Sequence, residues 1–179
     1  MKLIILDRDG VINHDSPNYV KSPEEWIPLP GSLEAIARLN QNGWRVVVAT
    51  NQSGLGRGLF TAHDLNAMHA KLRWELNRLG GHIDSFFICP HHPDDGCACR
   101  KPLPGLFTAI AERYDLPLQG VPAVGDSLRD LQAAAEAGAE PWLVRTGNGK
   151  LTAQRDDLPP GTRIFDDLRA VATELETRA

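Results

Sequence analysis

Strand-sized apolar runs alternate with helical periods along almost the whole chain, and that alternation restricts the fold more than any other feature of the sequence. Strands are predicted at 2–6, 45–50, 83–89, 121–125 and 141–145, with a short one at 163–165. Between the first two, Leu33, Ile36 and Leu39 mark one side of a helix over 32–41 that stops at Asn42-Gly43. Leu65, Met68, Leu72, Leu76 and Leu79 recur at steps of three and four, predicting a helix over 61–79 capped by Thr61 and ended by Gly80-Gly81. Further helices are predicted at 104–114, 128–137 and 166–176. Strands that alternate with helices require crossover connections, which are right-handed and give a parallel sheet with helices on both faces. At 179 residues the chain has room for a single domain, 1–179, with one core.

Ligands of such sheets bind beyond the carboxyl ends of the strands, near the point where strand order reverses. The first predicted strand runs into Asp7-Arg8-Asp9-Gly10, the second ends at Thr50-Asn51, the third leads to Arg100-Lys101, and the fourth to Gly125-Asp126-Ser127. Turn-forming residues at one exit would be unremarked; four exits carrying reactive groups point to a site. Asp7 and Asp9 can serve one site if the chain leaves strand geometry, which Gly10 permits. Asp126 adds a third carboxylate, with Asp130 one helical turn later. Clustered carboxylates with room for water and phosphate suit magnesium, and Lys101, Arg100 and the Thr50 hydroxyl suit a phosphoryl group.

Net charge is −4 and there is no Lys/Arg run, which disfavours a polynucleotide substrate. Apolar runs are strand-sized and only four apolar residues follow Lys2, so neither a membrane span nor a signal peptide is predicted, and a cytoplasmic, monomeric protein is expected. All three cysteines fall in Cys89-Pro-His91-His92-Pro-Asp-Asp-Gly-Cys97-Ala-Cys99. Three thiols and two imidazoles in this loop, 89–99, match the four-ligand demand of one structural zinc, with one histidine to spare. A zinc in this place would brace the loop that leads into Arg100-Lys101.

The ordered set Asp7-x-Asp9-Gly, Thr50, Lys101 and Gly125-Asp126-Ser127-x-x-Asp130 resembles the four motifs of the haloacid dehalogenase superfamily of phosphatases over residues 3 to about 145. The resemblance implies a Rossmann-like core in which Asp7 attacks phosphorus and Asp9 first protonates the leaving oxygen, then activates water. It also implies that Thr50 and Lys101 hold the phosphoryl oxygens. In the same scheme Mg²⁺ is held by the Asp7 and Asp126 carboxylates and the Asp9 backbone carbonyl. A receiver domain shares the residue types, but it keeps its acidic pair on the first strand and its phosphorylated Asp on a later one; the order here is the reverse.

Asp-Arg-Asp-Gly, Thr50-Asn51-Gln52-Ser53-Gly54, Cys-x-His…Cys-x-Cys and Arg100-Lys101-Pro102 are similar to a narrower family. It contains the D-glycero-D-manno-heptose 1,7-bisphosphate 7-phosphatases and the histidinol-phosphate phosphatases, both with a zinc loop. For the zinc, family and spacing both favour His91 with Cys89, Cys97 and Cys99. Ser53, Gly56-Arg57-Gly58 and Lys101-Pro102-x-Pro104-Gly105 look like the heptose branch; Val11 departs from a Thr found in many members. That branch implies removal of the 7-phosphate in ADP-heptose supply for the lipopolysaccharide core. Too few residues lie between motifs for a large cap domain, so loops must recognise a small phosphosugar. Asp15, Asn18, Tyr19, Asn51, Gln52, Ser53, Arg57, Arg100 and Ser127 are candidate substrate contacts. Histidines 63, 69 and 82 are expected on helix faces or the surface without a role. The roles of His14 and Asp130 stay open.

Overall fold

A computed structural model describes residues 1–178. Six strands, β1 (Lys2–Leu6), β2 (Trp44–Asn51), β3 (Ser85–Cys89), β4 (Pro122–Gly125), β5 (Glu140–Val144) and β6 (Arg163–Phe165), form one sheet in the order β3-β2-β1-β4-β5-β6. All five pairings are parallel. The chain builds outward from β1 to β3, crosses back, and resumes at β4 beside β1. Strand order therefore reverses between β1 and β4, which opens a crevice at their carboxyl ends.

The helices are α1 (Ser32–Gln41), α2 (Ser53–Gly56), α3 (Ala62–Asn77), α4 (Gly105–Tyr114), α5 (Leu128–Glu136), α6 (Gly149–Thr152) and α7 (Leu168–Glu176). Both faces of the sheet are covered, which is why its strands read as continuous apolar runs rather than alternating ones. In β1, Ile4 and Leu6 join the core built with α1, α3 and α7, whereas Leu3 and Ile5 join the core built with α4 and α5. Each fully buried aliphatic side chain contributes about 1.5–3 kcal/mol.

The predicted strands and long helices form within one or two residues of their expected bounds. Thr61 caps α3 reciprocally with Asp64: its hydroxyl accepts from the Asp64 N–H at 3.2 Å, and its own N–H donates to the Asp64 carboxylate at 2.8 Å. The four-residue α2 and α6 were not predicted, being too short to show a period. No helix of the described residues is long and apolar enough to cross a membrane. His69 lies on a face of α3, the inner one, and is 4% exposed, because Phe86 offers a ring to stack on at 4.1 Å and Arg8 offers a donor.

Candidate active site

Asp7 sits at the end of β1, where its backbone N–H donates to the Val124 carbonyl of β4 at 2.9 Å and ties the two strands at the crevice. Lys101 comes from the loop after β3 and is 2% exposed. Its ammonium lies 3.1 Å from Asp7 Oδ1 and 2.8 Å from Asp130 Oδ1, and donates to the Ala49 carbonyl at 2.8 Å. Three oxygens thus satisfy the three donors of a buried ammonium. Burial works against that charge, but Asp130 and Asp7 outweigh it and hold Lys101 protonated well above its ordinary range.

The N-terminus of α5 makes this possible. Asp130 Oδ2 accepts from the Asp126 N–H, the Ser127 N–H and the Ser127 hydroxyl at 3.1, 3.1 and 2.8 Å. One carboxylate both caps the helix and, through Oδ1, anchors Lys101. Its charge is held below the usual carboxylate range: burial opposes ionisation, and Lys101 with the Ser127 bonds overcomes it. Asp130 is therefore committed to the lysine and to helix capping, although its carboxylate lies within 4.8 Å of those of Asp7 and Asp126.

Asp7 and Asp126 show the reverse balance. Burial, followed by the charge of Asp130, raises Asp7 well above its ordinary value against the pull of Lys101. The same two causes push Asp126 up to about 7. Crowded carboxylates that resist ionisation form a hard-oxygen donor set that a divalent cation would relieve, so the residues fit magnesium. Gly10 and Gly147, both with positive φ, press on Asp126: a Cβ at either position would collide with its carboxylate. Asn148, next in the chain, donates its N–H to Asp126 Oδ2 at 2.9 Å and its side-chain amide to Asp15 at 3.2 Å.

Asp9 points to a different network. Its Oδ1 accepts from Arg8 Nη2 and Asn13 Nδ2, each at 2.9 Å, and its Oδ2 accepts from Gln52 Nε2 at 2.9 Å. Burial opposes its charge, yet Arg8 and these amide bonds hold its carboxyl below the ordinary range. Gln52 Nε2 also donates to Thr50 Oγ1 at 2.9 Å, linking Asp9 to Thr50.

The crevice above these groups is a cavity of about 230 Å³. Asp7, Asp9, Asp15, Tyr19, Asn51, Gln52, Ser53, Arg57, Arg100, Lys101, Asp126 and Ser127 line it, all candidates from the sequence. Thr50 lies beneath them, fully buried. Asn18 is exposed and outside the wall; its carbonyl accepts from Lys21 Nζ at 2.9 Å. Asn51 lines the cavity, but both ends of its amide grip the Lys101 backbone, at 3.1 Å each. Arg129 and Asn148 also line it and were missed; Arg129 occupies an unspecified position of the Gly125-Asp126-Ser127-x-x-Asp130 motif, and Asn148 lies in a segment that carries no motif.

Beside the cavity, Cys89 Sγ, His91 Nδ1, Cys97 Sγ and Cys99 Sγ lie within 4.8 Å of one another. Cys89 is 3.6 Å from His91 and 3.7 Å from Cys97, close to the ~3.5–3.8 Å edges of a tetrahedron with Zn–S near 2.3 Å and Zn–N near 2.0 Å. Cys99 is nearer its neighbours, 3.0 Å from Cys89 and 3.2 Å from His91. These four groups could hold a metal. His92 stays outside the cluster, its ring accepting from the Asp94 N–H at 3.1 Å. The loop is packed against backbone at Gly56, where a Cβ would lie 2.5 Å from the His92 nitrogen, and at Gly105, where it would strike Ala98. That close approach accounts for glycine at Gly56 and at Gly105.

A family model described as HAD-hydrolase-like matches residues 98–171, and one described as polynucleotide kinase 3 phosphatase matches residues 2–127. A D-glycero-beta-D-manno-heptose-1,7-bisphosphate 7-phosphatase of Bordetella bronchiseptica is 66% identical over 175 residues, 98% of each chain. This chain belongs to the HAD-like phosphatases. A relative of the same name from Pseudomonas putida is 55% identical over 98% of this chain and 99% of that one. The crystal structure of D,D-heptose 1,7-bisphosphate phosphatase from B. bronchiseptica, complexed with magnesium and phosphate, superposes with a TM-score of 0.99 at 65% identity, covering all of both chains. A HAD-like phosphatase with this sheet has its crevice where the structure places Asp7, Lys101 and Asp126.

Proposed function

We propose that this HAD-like phosphatase hydrolyses the C7 phosphate of D-glycero-β-D-manno-heptose 1,7-bisphosphate to give heptose 1-phosphate. The observation that carries this reading is the 66% identity, over 98% of each chain, to a phosphatase of that name. The geometry supports it: one buried lysine orients a carboxylate at the switch point, and Arg57, Arg100 and Arg129 in the cavity wall suit a second phosphate.

Asp7 is the nucleophile. One of its carboxylate oxygens forms a bond to phosphorus while the bond from phosphorus to the sugar oxygen breaks, and Asp9, which has to take up a proton against the pull of Arg8 before this step, gives it to that departing oxygen. Asp9, now a carboxylate, takes a proton from the water that attacks the aspartyl-phosphate. Cleavage of the Asp7–phosphorus bond then releases inorganic phosphate and restores Asp7. Thr50 and Lys101 hold the phosphoryl oxygens, and Lys101 keeps Asp7 aligned between turnovers. Magnesium, held by the carboxylates of Asp7 and Asp126 and the carbonyl of Asp9, supplies neutralising charge for the phosphoryl group.

Cys89, His91, Cys97 and Cys99 would hold a zinc ion whose role would be structural, fixing the loop from which Arg100 enters the cavity. On the same reading the enzyme works in the cytoplasm, in ADP-heptose supply for the lipopolysaccharide core. The test is kcat/KM on heptose 1,7-bisphosphate and on histidinol phosphate, side by side with Mg²⁺. A preference of at least a hundredfold for the heptose is expected; a large preference for histidinol phosphate would overturn the substrate assignment.

A further inference from the structure

Arg8 is fully buried at the end of β1, and its guanidinium faces three groups. It donates to Asp9 Oδ1 from Nη2 at 2.9 Å and from Nε at 3.3 Å, and to Gln52 Oε1 at 3.4 Å. Its Nη1 is 3.3 Å from Nε2 of His69, which reaches across from α3, 61 residues away in sequence. A buried guanidinium needs acceptors for its donors, and none of the others lies on α3. Burial and the charges of Arg8 and Arg73 lower the imidazole pKa to about 3, and because a guanidinium offers only donors, the tautomer that fits this contact carries its proton on Nδ1 and accepts at Nε2.

We propose that His69 is a positioning residue for the acid–base Asp9, acting through Arg8. Its ring nitrogen fixes one arm of the guanidinium, and the other arm sets where the Asp9 carboxylate stands. The inference rests on the assignment of Asp9 as the proton donor.

His69 has a second feature, its stack on Phe86, and two substitutions separate the roles. His69→Phe keeps a ring against Phe86 and removes the acceptor. His69→Gln removes the ring and keeps an acceptor within reach of Arg8. A packing role favours the Phe variant; a positioning role favours the Gln variant.

The readout is the ratio of kcat/KM on heptose 1,7-bisphosphate to kcat/KM on p-nitrophenyl phosphate, with Mg²⁺. A sugar oxygen needs a proton as it departs, whereas p-nitrophenolate departs as a stable anion. Because kcat/KM reports steps only as far as release of the first product, the later water attack does not enter. The ratio is also independent of the fraction of folded enzyme. His69→Phe should lower the ratio at least tenfold, and His69→Gln should stay within threefold of the parent. An unchanged ratio in His69→Phe, or an equal fall in both variants, would overturn the proposal. Asp9→Asn is the control: it should lower the ratio further, and a parent-like ratio there would overturn the assignment of Asp9 itself and this inference with it.

Discussion

Lys101 and Arg100 are neighbours in the chain, yet they are held by opposite kinds of structure. Lys101 is buried, and its three donors are met by Asp7, Asp130 and the Ala49 carbonyl, all fixed by the ends of β1, α5 and β2. Arg100 is only half-buried, and its Nη1 finds no hydrogen-bond partner among the described residues. Its place is set by the Cys/His loop that precedes it rather than by charge pairing. The lysine belongs to a cluster fixed by strand and helix ends; the arginine belongs to a loop held by its own side chains. The two neighbours are therefore held independently, and each can be disturbed without the other.

The largest expected effect comes from the buried side of the comparison. Asp7→Asn removes the proposed nucleophile while keeping shape. Activity on any phosphomonoester should fall by at least ~10³-fold, as loss of a covalent nucleophile generally does, with circular dichroism and zinc content unchanged. Substantial turnover by purified Asp7→Asn would refute covalent catalysis.

The loop side should respond differently. Metal analysis of the parent should give about one zinc per chain, and Cys97→Ala, one ligand short, should lose it. The sheet does not depend on that ligand, so the far-ultraviolet spectrum should persist while kcat/KM on the bisphosphate falls by roughly 10–100-fold, the scale of losing support around a site. A zinc-free parent with full activity would show that hydrogen bonds alone hold the loop.

The same division decides what could be read from sequence. Asp7 and Asp126 directly follow predicted strands, Thr50 ends one, and Lys101 closes the loop that leaves another, so the parallel sheet brings them to one end once the alternation is recognised. The cysteine cluster was legible because four residues of the kinds that ligate zinc fall within eleven residues. What escaped notice depends on partners distant in sequence. His69 sits in a helical period among Leu65, Met68 and Leu72, and nothing local says that its ring meets Arg8 across 61 residues. Gln52 lines the cavity, as a sugar contact would, but nothing local shows that its amide also joins Asp9 to Thr50. Asn148 follows a glycine whose need for close approach to Asp126 exists only in the folded chain.

The smallest effect is a stability change that runs opposite to the usual result of removing a site residue. Asp126 carries a pKa of about 7, raised by burial and then by Asp130, whereas an unfolded chain returns it to about 3.9. Between these values the native state binds the proton more tightly than the unfolded state, so ionising Asp126 destabilises the fold as pH rises through that interval. Asp126→Asn removes this contribution. In EDTA at pH 8 the variant should melt a few degrees above the parent, for roughly 1–3 kcal/mol at ~2–4 °C per kcal/mol in a chain of this size. At pH 4.5 the two should melt nearly together. Magnesium should reverse the order at pH 8 by stabilising only the parent. A variant less stable than the parent in EDTA at pH 8 would show that the bonds from Asn148 outweigh the carboxylate repulsion, and that this charged cluster is held together without a cation.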